Sequence, residues 1–180
     1  MPVTYEPDVI VPDGDALASG DGASFRRILV PIRLAGDAAE SLAVAARVCR
    51  SANGVVRLLH VRIYDPPLRG SGRFYPQTAD EAAAVLDEAL LLAWGYGLRA
   101  TTTVVAAPRA EVAAAIAGQA SAWPADMIVM SRRPGRAIWR MLLGSIPDKV
   151  MRMASCPVLA VHPRPEVARR TVRDPAGPGS

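Results

Sequence analysis

Four arginines crowd into ten residues, Arg132, Arg133, Arg136 and Arg140, and a fifth, Arg33, follows the chain's first apolar run. Guanidinium groups only donate, and their planar fork matches phosphate or carboxylate oxygens, so the chemistry on offer is anion binding. A solvated basic surface explains the same residues, and both readings stand at this point. Gly144-Ser145 follows the cluster. Read functionally, it is a phosphate contact at a helix N-terminus. Read structurally, Ser145 with Asp148 spells a capping box, and Pro147 suits a first helical turn. His60 and His162 raise acid–base chemistry with Ser145 or Asp148, but both belong to apolar strands, where core or interface roles are expected. Trp139 suits base stacking or the anchoring of its loop. No clustered carboxylates suggest a metal. Cys49 and Cys156 have neither a disulfide framework nor zinc-ligand spacing, and read as small buried apolar residues in a reducing compartment.

These residues must be positioned by regular elements, and the body of the chain alternates strand and helix. RILVPI (27–32) is a short apolar run, the mark of a strand buried on both faces. Asp37 with Glu40 predicts a capping box, and the helix it opens should run to a stop at Asn53-Gly54. VVRLLHVRI (55–63) is a second strand. A 14-residue connector, 64–77, holds Pro66, Pro67 and Pro76 and reads as a long loop. Thr78 with Glu81 caps the next helix, which ends near Gly95 and Gly97. LRATTTVVA (98–106) is strand three, and Pro108 suits the first turn of a third helix. DMIVM (126–130), a short helix over 145–153 and PVLAV (157–161) complete the body. This order predicts a doubly wound parallel α/β sheet whose ligands sit outside the carboxyl ends of strands one and four.

The 180 residues suffice for one well-buried domain. The net charge of +4 is unevenly spread. Residues 1–24 hold five acids and no base, and read as a disordered acidic leader. Residues 25–163 hold 17 bases and 10 acids, and residues 164–180, a disordered basic tail, hold four arginines and two acids. No run of about 18 apolar residues exists to span a membrane. The acidic N-terminus lacks the apolar core of a secretory signal, so the expected location is the cytoplasm. Twenty of the 21 bases are Arg, but without interleaved aromatics or a known motif nucleic acid is not the expected partner.

Residues 126–161, DMIVMSRRPGRAIWRMLLGSIPDKVMRMASCPVLAV, closely resemble the C-terminal signature of the universal stress protein family, and RILVPI and LLHV fit its N-terminal half. The resemblance spans about residues 26–163. It implies a five-stranded parallel sheet flanked by helices on both faces, and a homodimer paired through the edge strand Pro157–Val161. Many members hold ATP through a G-x2-G-x9-G-[S/T] segment. Here the first two glycine positions fall on Ser131 and Pro134, and only Gly144 and Ser145 are retained. The acid that such proteins use near adenosine falls on Arg33. Proline offers no N–H to a phosphate, and Arg cannot accept from a ribose hydroxyl or an amine. The implied site has Ile32 and Arg33 after strand one, and Val61 and Met130 flanking the base. Ser131, Arg133 and Pro134 stand where the glycine loop would be, and Gly144, Ser145 and Ile146 open the last helix. The resemblance thus implies a non-enzymatic regulatory or interaction module in stress response. Its ATP binding would be lost or altered, and an Arg-rich cleft would take an anionic ligand or a protein partner. The alternative is a switch that binds ATP or another adenine nucleotide. Hydrolysis of ATP has no residue evidently poised to activate water.

Overall fold

The structure is a computed structural model that describes residues 25–49, 54–65, 75–131 and 145–162. Five strands, β1 (Arg27–Pro31), β2 (Val55–Tyr64), β3 (Ala100–Pro108), β4 (Met127–Ser131) and β5 (Val158–Val161), form one sheet in the order β3-β2-β1-β4-β5. Every pairing is parallel. β1 therefore lies between β2 and β4, and the winding reverses there, as the alternation of elements predicts.

Apolar runs form these strands because both faces are covered. Ile28, Leu29 and Val30 are all fully buried. Side chains alternate across a strand, so Ile28 and Val30 enter one layer and Leu29 the other. The first layer packs against α1 (Ala38–Val48) and α2 (Ala79–Gly95) through Leu42, Ala45, Leu86 and Ala89. The second packs against α3 (Val112–Ala122) and α4 (Ile146–Met153) through Ala113, Ile116 and Val150. The many alanines let helices approach the sheet closely while keeping helix propensity high.

Two helix starts follow the sequence reading. Thr78 and Glu81 make a reciprocal capping box on α2, as do Ser145 and Asp148 on α4. The end of α2 is a Schellman turn: Gly97 takes φ +71°, its N–H bonds the Trp94 carbonyl at 2.8 Å, and Leu98 N–H bonds Ala93 at 3.0 Å. That turn uses Leu98, so β3 begins at Ala100 rather than 98.

Three expectations are corrected. Asp37 caps nothing with its side chain, because a 3₁₀ turn (Ala35–Asp37) brings the chain into α1 with Asp37 already in helical φ/ψ. α1 ends at Val48, with Cys49 at its C-cap, short of the predicted Asn53-Gly54 stop. Pro108 is the last residue of β3, and a 3₁₀ turn (Arg109–Glu111) separates it from α3. At the opposite edge of the sheet, the Asp126 carboxylate accepts from the backbone N–H groups of Arg26 and Arg27, both at 2.8 Å. It ties the start of β1 to the start of β4, a role its sequence position did not suggest.

Candidate functional site

The carboxyl edge of β2, β1 and β4 gathers the described part of the predicted site. Ile32, just past β1, is buried; its N–H donates to the Leu59 carbonyl at 2.7 Å. Met130 is buried and Ser131 half-buried at the end of β4, while Val61 is half-buried on β2 and packs in the α3/α4 layer. Arg133, Pro134 and Gly144 lie outside the described residues, as do Arg132, Arg136, Trp139, Arg140 and the connector arginines Arg69 and Arg73.

Arg33 does not stand alone at this edge. Its Nη2 donates to Asp37 Oδ2 at 2.8 Å, an i,i+4 ion pair in which the Arg33 side chain is 64% exposed and the Asp37 side chain 7%. The carboxylate that fails to cap α1 thus pairs with Arg33 instead. The Arg33-x3-Asp37 spacing was visible in the sequence, but the capping-box pattern claimed Asp37 first.

His60 is a core histidine with a defined task. Its Nδ1 is 2.9 Å from the Ile32 carbonyl and its Nε2 is 2.7 Å from Gln77 Oε1. A neutral ring meets both partners by donating from Nδ1 and accepting from the Gln77 amide turned end for end; an imidazolium meets both by donating twice. Either way the carbonyl at the mouth of β1 is occupied. Arg62 Nη2 donates to the Gln77 carbonyl at 2.8 Å, its guanidinium lies 4.5 Å from the Tyr75 ring centroid, and Tyr75 meets Tyr64 at 5.5 Å. Gln77 and Tyr75 thereby fasten the end of the connector to β2. Sequence reasoning missed Gln77, whose type and place in a loop carry no periodic signal.

Ser145 is also engaged. Its Oγ–H donates to Asp148 Oδ2 at 2.7 Å, its N–H donates to the same oxygen at 3.1 Å, and Asp148 N–H donates to Ser145 Oγ at 3.4 Å. Ile146, beside it, is exposed. A capping box satisfies two of the donors that a helix N-terminus would otherwise offer to an anion.

A model of the universal stress protein family matches residues 24–162. The chain belongs to the universal stress protein family. Solved structures share its fold. A universal stress protein from Archaeoglobus fulgidus is 24% identical, with a TM-score of 0.58, over 76% of this chain and 93% of that one. A universal stress protein from the same organism in complex with dAMP is 22% identical, with a TM-score of 0.56, over 74% and 95%. A universal stress protein in complex with cAMP is 19% identical, with a TM-score of 0.56, over 78% and 98%. Comparison with curated proteins gave no match.

Away from the cleft, the family fold here carries two free thiols. Burial, helped by the nearby Asp126 carboxylate, raises the pKa of Cys49 above its ordinary value. Burial and then Asp126 also raise Cys156, against a lowering backbone hydrogen bond. Both shifts favour the neutral thiol, which is a poor nucleophile. Among the described residues no group of three or more His, Cys, Asp or Glu is placed to hold a metal, and no helix is long and apolar enough to cross a membrane.

Proposed function

We propose that this universal stress protein is a non-catalytic regulatory module of the cytoplasm in which ATP binding is lost or altered. The observation that carries this reading is the Arg33–Asp37 pair at 2.8 Å. It places a donor where an acceptor for adenosine is expected and spends that donor on an internal carboxylate. The Ile32 carbonyl, held by His60, and Ser145, held by Asp148, support the same reading. Free anion-binding capacity then resides in Arg132, Arg133, Arg136 and Arg140, with Ser131 and Pro134 where glycines would let backbone approach phosphate. The module works by docking an anionic ligand or a protein partner there, and as a homodimer joined through β5. That strand pairs with β4 alone among the described strands and exposes Leu159.

A second reading, an adenine-nucleotide switch, draws on the relatives crystallised with cAMP and dAMP. In it, Val61 and Met130 flank the base beside Ile32, and Gly144, Ser145 and Ile146 receive phosphates. Calorimetric titration with ATP, ADP, cAMP and inorganic pyrophosphate separates the two. Heat from pyrophosphate without heat from the nucleosides' own contacts, so that ATP binds no tighter than pyrophosphate, supports the anion module. ATP binding far tighter than pyrophosphate supports the switch.

A further inference from the structure

Helix α2 turns to solvent a surface unlike the rest of the body. Its residues include Asp80, Glu81, Asp87 and Glu88, all exposed, and no base, although residues 25–163 hold more bases than acids. Asp87 and Glu88 stand one turn before Leu91, which stands three residues before Trp94, so acid, leucine and tryptophan follow one another down one face. Leu91 is 64% exposed, Trp94 47% and Tyr96 43%. No other described stretch exposes three large apolar side chains within six residues.

Charge selects among the occupants this chain can supply. The same face of a second copy would set acid against acid. Residues 1–24, with five acids and no base, would be repelled. Residues 163–180, which lie outside the described residues, hold Arg164, Arg169, Arg170 and Arg173 against two acids, with Val167 and Val172 among the arginines. We propose that this C-terminal segment of the same chain docks along the exposed face of α2. Its arginines meet Asp87 and Glu88, and its valines lie against Leu91 and Trp94.

The path is short enough. β5 ends at the carboxyl edge of the sheet, the edge from which α2 starts. Three strand spacings separate β5 from β2, about 14 Å. Asp87 lies about 12 Å along α2 from Ala79. The stretch from Val161 to Arg169 reaches about 27 Å when extended, and Arg173 extends that to about 40 Å. Contacts of this kind sit in water, so salt weakens them. The strap leaves the cleft residues untouched, and so stands whether or not a nucleotide binds.

Carbodiimide coupling of the full chain tests it. Arg170→Lys keeps the charge and supplies an amine, which should couple to Asp87 or Glu88 within one chain, as a mixture of isotope-labelled and unlabelled protein will reveal. Raising NaCl from about 20 mM to about 500 mM should cut that yield several-fold. A second readout needs no coupling: Arg169→Glu with Arg170→Glu and Arg173→Glu should raise acrylamide quenching of tryptophan emission, and adding Trp94→Phe should abolish the increase. Coupling of the introduced amine only to acids of residues 1–24 or to another chain, or quenching unchanged by charge reversal, overturns the proposal.

Discussion

Two helices begin at the carboxyl edge with the same kind of start signal, and they use it differently. At α4, Ser145 and Asp148 bond each other's backbone and close the helix end. At α1, Asp37 and Glu40 have the same spacing, yet Asp37 makes no side-chain cap bond and pairs with Arg33. The difference lies in the approach. Ser145 has extended φ/ψ (−74°, 158°), which swings its oxygen back over the first turn, whereas Asp37 at (−91°, −8°) is already helical and points elsewhere. A capping motif is therefore a conditional signal: a donor four residues upstream and a 3₁₀ turn redirect it. At this cleft, the redirection converts a helix cap into charge neutralisation.

His60→Leu should have the largest effect, because its ring joins β2 to the Ile32 carbonyl and to Gln77. It strands the Ile32 carbonyl and the Gln77 side chain, and should cost about 2–4 kcal/mol in urea unfolding; a loss under about 1 kcal/mol would mean the edge does not depend on it. Next, Ser145→Ala should cost about 1 kcal/mol by loss of a working cap. Asp37→Asn, which weakens a pair with a largely exposed arginine, should cost less, about 0.5 kcal/mol. Equal costs would erase the distinction between the two starts. In affinity, Asp37→Asn should free Arg33 and tighten pyrophosphate binding by roughly three- to ten-fold at low salt, whereas Ser145→Ala should not. Tightening in neither variant would place Arg33 away from the anion. The smallest effect concerns the opposite edge. The raised pKa of Cys49 and Cys156 keeps both thiols protonated through neutral pH, so iodoacetamide should alkylate them several-fold more slowly than free cysteine at about pH 8. Rates equal to free cysteine would show that burial does not protect them.

The elements that repeat a period were legible. Five apolar runs announced five strands, and the strand order with its reversal between β1 and β4 agrees with the family resemblance. Thr78 with Glu81 and Ser145 with Asp148 were read correctly because their helices begin from extended backbone. Asp37 was misread because a local pattern cannot register a turn that reorients it, and Pro108 because proline suits a strand end as well as a first helical turn. Gln77 and Asp126 were illegible for another reason: each acts on a residue 17 or more positions away, and only the fold makes such pairs adjacent. At the candidate site, the residue types were legible and their pairing was not. Arg33 looked like a free cation, and its partner was already counted as a cap.

The nucleotide content of the purified protein tests the proposed loss of nucleotide binding most directly. Protein denatured immediately after isolation and chromatographed for released adenine nucleotide should yield far less than one equivalent per chain, because Arg33, the Ile32 carbonyl and Ser145 are committed to partners within the molecule. Release of one equivalent of ATP or another adenine nucleotide per chain would contradict that, and would show that these contacts open for a ligand.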